Sequence, residues 1–279
     1  MEYRVIALDM DGTALNDEKK FDERTKQAIH EALAAGKEVV FCSGRSYAEM
    51  EEPLKEFPDM NYLCGESGGL VFDLKKREPI AMISMTQEMI DTIEEVVGDR
   101  DIMAHFFKEG QAVVNEDQLS CMAHYQMGVY QESFLKLCTP VDQVFDYQRK
   151  VGGSVEKLNL YHTSTEEREK SLEMLQKRKL QANMTYSEIA SLECTALGVD
   201  KAAGLQALCE KLQISMEQVI MVGDADNDCP ALKAAGLAVA MGNANSNVKA
   251  ISDVVVADNN HNGCGEAIYR FLLGREWKA

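Results

Sequence analysis

The stretch Val5-Ile6-Ala7-Leu8-Asp9-Met10-Asp11-Gly12-Thr13 is an apolar run that stops on two acids. A short continuous apolar run bounded by a turn signal predicts a fully buried strand. Residues two apart in an extended segment share one face, so Asp9 and Asp11 point the same way. Two carboxylates so placed raise each other's pKa unless a cation lies between them. The pair implies a bound metal or acid–base chemistry. The plain structural alternative is a strand end followed by an Asp-Gly turn.

Outward from this stretch, strand and helix patterns alternate. Asp22 to Ala35 has the spacing of an amphipathic helix, with Gly36 as its stop signal. Val39 to Cys42 is a second buried strand running into Ser43-Gly44-Arg45. Tyr47 to Phe57 is helical in pattern, and Tyr62-Leu63-Cys64 is a third strand. The style returns with a helix over Lys201 to Leu212 and a strand over Val219 to Val222 that ends on Gly223-Asp224. Further strands follow at Ala238 to Met241 and Asp253 to Ala257, and a closing helix at Glu266 to Leu273. Between these halves the runs are longer and more charged, and Val113-Val114 and Leu158 to Tyr161 suit strands of a separate sheet. The expected fold is α/β: a Rossmann-like, doubly wound parallel sheet, residues 1–83 and 190–279, with an inserted α+β domain at residues 84–189.

The 279 residues carry 29 basic and 46 acidic side chains, a net charge of −17. Such a surface repels phosphodiester backbones and anionic lipid, so nucleic acid and membranes are not expected partners. An anionic substrate needs a local cationic site. The eight cysteines form no C-x-x-C pair and fall mostly in apolar runs, as at Cys42, Cys194 and Cys209, which predicts free thiols in a reducing compartment. No signal peptide opens the chain and no apolar stretch reaches the ~18 residues of a membrane span, so a cytoplasmic protein is expected.

Four segments read as buried strands whose C-terminal ends carry a polar or charged cluster: Asp9 to Asp11, Ser43 to Arg45, the turn before Lys201, and Gly223 to Asp228. In an open α/β sheet ligands bind beyond the carboxyl ends of the strands, so clusters remote in sequence can meet. The run Asp224-Ala225-Asp226-Asn227-Asp228 is an ordinary acidic loop or a ligand set. It is not an EF-hand, since the required glycine and the twelfth-position glutamate are absent. Beside Asp9 and Asp11, Asp224 would complete an oxygen-only pocket suited to magnesium. Ser43-Gly44 reads first as a helix cap, and alternatively as an anion cradle. Lys201 opens a helix, where the macrodipole disfavours a cation; its default reading is an isolated surface lysine.

Taken in order, these motifs resemble those of the haloacid dehalogenase (HAD) superfamily. D-x-D-G-T is matched by Asp9 to Thr13, the strand-closing Ser or Thr by Ser43, the lysine by Lys201, and G-D-x-x-N-D by Gly223 to Asp228. Ala240 to Ala244 and the place of the insertion are similar to the Cof-like phosphatases with a type-IIB cap. Two departures are Ala14, where Leu is usual, and Gly65-Glu66-Ser67 in place of Asn-Gly after the third strand.

The resemblance implies a magnesium-dependent phosphatase acting on a small-molecule phosphate ester through an aspartyl-phosphate. It makes Asp9 the nucleophile and Asp11 the acid–base group. Asp9, Asp11 and Asp224 would hold Mg2+. Met10 by its backbone, Ser43, Gly44 and Asn227 would hold phosphoryl oxygens. Lys201 would neutralise charge, and Asp228 would orient Lys201 or a metal-bound water from behind. Arg45 would touch substrate or pair with an acid. A phosphomutase of the same fold would use the same groups. A phosphate-sensing module without turnover is the remaining reading, and the complete residue set argues against it. The inserted domain is expected to choose the leaving group; its His105, His124, His162, Tyr125 and Tyr130 read as packed or exposed side chains.

Overall fold

The four apolar residues Val5–Leu8 form strand β1 and are wholly buried. A strand covered on both faces belongs inside a sheet flanked by helices. The computed structural model, which describes residues 2–277, places it there. β2 (Glu38–Cys42) lies parallel beside β1, and β3 (Tyr62–Gly65) parallel beside β2. β4 (Leu70–Asp73) turns antiparallel to β3, and β5 (Glu78–Met82) forms the edge. Rings of Phe21, Phe41 and Phe57 pack on one another beside β2, with centroids 4.9 to 5.6 Å apart, a spacing aromatic pairs prefer.

The chain divides into two units. One holds everything up to Gly44, then Glu51–Ala81 and everything from Asp200; the other holds Arg45–Met50 and Met82–Val199. The second unit has its own sheet of β6 (Ile102–Lys108), β7 (Gln111–Asn115), β8 (Thr139–Val141), β9 (Lys157–His162), β10 (Ala182–Tyr186) and β11 (Ser191–Ala196). Their order is β10-β11-β9-β6-β7-β8, antiparallel throughout except between β7 and β8. Alternation splits its residues between two faces. Ile102, Ala104, Phe106, Leu158 and Leu160 join a core with Met89, Ile90 and Ile93 of the helix Gln87–Val97. Met103, Val114 and Tyr161 join Met122, Tyr125 and Phe134 in another.

The sequence boundary at residue 190 needs correction. β11 stays in the second sheet, paired with both β9 and β10, and the first unit resumes only at Asp200. Ser191-Leu192-Glu193-Cys194-Thr195 alternates polar and apolar residues, the pattern of an antiparallel strand rather than of a parallel core strand.

Back in the first unit, β12 (Val219–Gly223), β13 (Leu237–Ala240) and β14 (Val254–Val255) extend the first sheet in parallel on the other side of β1. The strand order therefore reverses at β1: the chain builds outward through β2 and β3, then through β12, β13 and β14. Such a switch point opens a crevice at the carboxyl ends of its strands. All eight cysteines are free thiols. Among the described residues no helix is long and apolar enough to cross a membrane.

Candidate active site

The carboxyl ends of β1 and β12, side by side at the switch point, carry the acids. After Leu8 the chain turns at once: Ala14 N donates to Asp9 O at 3.1 Å and Leu15 N to Met10 O at 2.9 Å. Gly12 makes the turn at φ +85°, where a Cβ would also stand 2.6 Å from Asp224 Oδ2. Both the angle and the space demand glycine. At Gly223, at the end of β12, space alone demands glycine, since a Cβ there would lie 2.5 Å from the Asp228 carboxyl carbon.

The helix Lys201–Leu212 starts where the sequence predicts, capped by Asp200, whose Oδ1 accepts from Ala203 N at 3.0 Å. Lys201 is not a surface lysine. It is 1% exposed, and its Nζ donates to Asp9 Oδ1 and Asp228 Oδ1, each at 2.6 Å. Two carboxylates thus outweigh the unfavourable end of the macrodipole. Asp228 Oδ2 in turn accepts from the N–H groups of Asp224 and Ala225, at 3.0 and 3.1 Å. Thr13 Oγ1 donates to Asp224 Oδ1 at 2.7 Å.

Oxygens of Asp9, Asp224 and Asp228 lie within 4.8 Å of one another. Burial pushes Asp9 up to about 8, with Asp228 and Asp224 adding to the rise and Lys201 opposing it. Burial likewise raises Asp224 to about 6, against the Thr13 hydrogen bond. Burial alone would depress Lys201; Asp228 and Asp9 overcome it and hold the ammonium well above its ordinary range. Ionised together, these three acids carry more negative charge than one ammonium offsets, and a further cation would neutralise the excess. The donors are all oxygen, which fits a hard cation.

The other expected residues are placed less uniformly. The Asp11 carboxylate does not join this cluster; Lys19 Nζ donates to its Oδ1 at 2.8 Å, and the third converging acid is Asp228. The Met10 side chain is buried in the core and its carbonyl is taken by the turn. Ser43 is buried at the end of β2: its N–H donates to Cys64 O at 2.9 Å, and its carbonyl accepts from Ser67 N at 3.0 Å. It does not cap the following helix. That helix begins at Tyr47, and Ser46 caps it, its Oγ accepting from Glu49 N at 3.2 Å. Gly44 follows Ser43 in the first unit, while the half-buried Arg45 belongs to the second. Asn227 is half-buried, and its Oδ1 is buried without a hydrogen-bond partner.

Sequence reasoning missed four residues here. Thr13 holds Asp224, and Lys19 holds Asp11. Asn243 Nδ2 donates to Gly12 O at 2.8 Å, and Asn245 N to Asp224 O at 3.1 Å. The signal was the spacing Asn243-x-Asn245-x-Asn247 after β13: Asn245 and Asn247 also both donate to Asp226 Oδ1.

The model of the haloacid dehalogenase-like hydrolase family matches residues 6–268. The chain belongs to that family. It is 28% identical over 273 residues to the 5-amino-6-(5-phospho-D-ribitylamino)uracil phosphatase of Bacillus subtilis, covering 98% of this chain and 97% of that one. A haloacid dehalogenase-like hydrolase from Bacteroides thetaiotaomicron superposes with a TM-score of 0.83 at 25% identity, over 96% of this chain and 99% of that one. A subclass IIB sugar phosphatase shares the fold at a TM-score of 0.81 and 22% identity, over 96% and 98% of the two chains.

Proposed function

We infer that this chain is a magnesium-dependent phosphatase that hydrolyses small phosphorylated metabolites through a phosphoaspartate at Asp9. The observation that carries the reading is the convergence of Asp9, Asp224 and Asp228, two of them bonded to the Lys201 ammonium, at the switch point of a HAD-type sheet. A scaffold protein gains nothing from three acids crowded so closely together.

Asp9 attacks phosphorus with a carboxylate oxygen, and the bond from phosphorus to the ester oxygen breaks. Asp11, protonated at that stage, gives its proton to the departing alkoxide; it must release Lys19 to do so. Water then attacks phosphorus and passes a proton back to Asp11. The acyl phosphate bond breaks, freeing inorganic phosphate and Asp9. Lys201 keeps Asp9 oriented and offsets the charge gathered on the phosphoryl group. Asp228 fixes Lys201 and, through two N–H groups, the turn that presents Asp224. The Ser43 hydroxyl, the N–H groups of Gly44 and Met10, and Asn227 take phosphoryl oxygens; the partnerless Asn227 Oδ1 marks a side chain ready to reorient. Magnesium would be held by the Asp9 and Asp224 carboxylates and by Asp11 through its backbone carbonyl, and would supply the charge compensation that lets an anionic nucleophile meet an anionic ester.

The second unit is the substrate-selecting domain of this reading. The Bacillus relative acts on a phosphorylated ribityl compound and the subclass IIB neighbour on sugar phosphates, so a polyhydroxylated phosphate ester is the first substrate class to try. The test is release of inorganic phosphate from an aryl phosphate and then from a panel of sugar and polyol phosphates. Release should need Mg2+ and stop with a chelator. No release from any of them, with the protein folded, would sink the reading.

A further inference from the structure

After β3 the chain does something costly. Glu66, Ser67 and Gly68 run consecutively at φ +54°, +56° and +94°. Left-handed backbone is routine for glycine but unfavourable for L side chains, and two non-glycine residues in succession compound the cost. All three residues are buried. Part of the reason is packing. A Cβ on Gly68 would lie 1.9 Å from Asp200 O, and one on Gly204 would lie 2.7 Å from Gly68 Cα, so the loop is pressed against the first turn of the helix that Lys201 opens. On its other side Ser67 N donates to Ser43 O.

Packing does not account for the side chain at 67. The Ser67 Oγ is buried without a hydrogen-bond partner, in a residue only 4% exposed. Buried hydroxyls are ordinarily paired, and an unpaired one is destabilising. Glycine would relieve the backbone, and alanine would fill the space without an orphaned hydroxyl. Strain that persists, together with an unmet donor, points to a ligand that completes it. The nearest chemistry is the end of β2 and the Lys201 helix, between which Ser67 is lodged.

We propose that Ser67 is a further substrate-binding residue, its hydroxyl donating to a phosphoryl oxygen beside Ser43, so that β3 joins β12, β1 and β2 in building the site. This rests on the phosphatase reading. The hydroxyl meets the anion in the ground state as well as in the transition state, so its loss acts on binding more than on turnover.

The probe is inorganic phosphate, measured as a competitive inhibitor of aryl phosphate hydrolysis by the full-length wild type, Ser67→Ala and Ser67→Gly. Both variants should bind phosphate about tenfold more weakly, the worth of one hydrogen bond to a charged group. KM should rise with it, and kcat should change less than about twofold. Ser67→Gly should also melt higher than wild type, because the backbone strain is gone, which keeps the test sound if Ser67→Ala folds poorly. Wild-type phosphate inhibition in the two variants would overturn the proposal while leaving the phosphatase reading intact. A wild type that neither hydrolyses the ester nor binds phosphate would overturn both.

Discussion

Each unit of this protein buries a lysine against carboxylate, and the two arrangements differ in what surrounds the ammonium. In the second unit Lys157, 2% exposed, lies 3.1 Å from Glu193 and 4.0 Å above the Phe107 ring. An ammonium meets a carboxylate across neighbouring strands, and the ring face adds a cation–π contact. In the first unit Lys201 bridges Asp9 and Asp228, with Asp224 within reach of both acids. A buried ion pair is tolerable when its charges balance. The Lys157 arrangement joins neighbouring strands; on the reading proposed above, the Lys201 arrangement is a site that a cation and a phosphate ester would complete. The HAD motifs fall on the unbalanced one.

The most severe way to break this contrast is to remove Asp9. Asp9→Asn should cut release of phosphate from an aryl ester on the order of 10⁴-fold or more, as loss of a covalent nucleophile does elsewhere. Its melting temperature without metal should be no lower than that of wild type, because one of three crowded acids has been neutralised. Near-normal turnover would remove Asp9 as nucleophile. The opposite outcome is expected for Glu193→Gln. It removes a buried charge partner of Lys157, which should lower stability by about 3–5 kcal/mol. A urea melt indistinguishable from wild type would show that Lys157 does not depend on its partner.

A subtler test uses pH. Asp9 and Asp224 have folded pKa values raised to about 8 and about 6, against an ordinary value of 3.8. Above the ordinary value the unfolded chain has released these protons while the folded chain still holds them, so their contribution to stability falls as pH rises. The fall starts near pH 4 and is complete once Asp9 has titrated, at about 8. Measured without metal, the stability of wild type relative to Asp9→Asn should decline across that window, by a few degrees of melting temperature. Magnesium should flatten the decline, because a cation replaces the protons. A difference that rises with pH would mean that Lys201 satisfies Asp9 without further help.

The contrast also separates what the sequence could disclose from what it could not. β1, β2 and β12 were legible because burial on both faces writes an unbroken apolar run. β6 and β11 were not, because their inward positions include His105, Lys108 and Glu193, polar residues that hide a strand's period. In the candidate site, motif order pointed to Asp9, Lys201 and Asp224, which the fold brings together, since each closes a strand or opens a helix. Pairings within the site depend on rotamers and turn geometry. So the sequence did not disclose that Asp228 rather than the Asp11 carboxylate completes the acid cluster, or that Ser46 rather than Ser43 caps the next helix. Lys201 misled because a lysine's depth depends on partners that lie 192 and 27 residues away along the chain.

The smallest expected effect concerns Asp11. Its contact with Lys19 joins two partly exposed groups, with side-chain exposures of 31% and 47%, unlike either buried lysine. An ion pair of that kind contributes under about 1 kcal/mol, screened by salt. Lys19→Ala should therefore leave the melt within a few degrees of wild type. If Asp11 must release Lys19 before it can protonate the leaving alkoxide, turnover should be unchanged or modestly faster, by up to about threefold at low salt. High salt should erase the gain, because it already loosens the pair in wild type. A large loss of turnover in Lys19→Ala would show instead that Lys19 takes part in the reaction. The first unit's excess of acid would then have a second lysine to answer it.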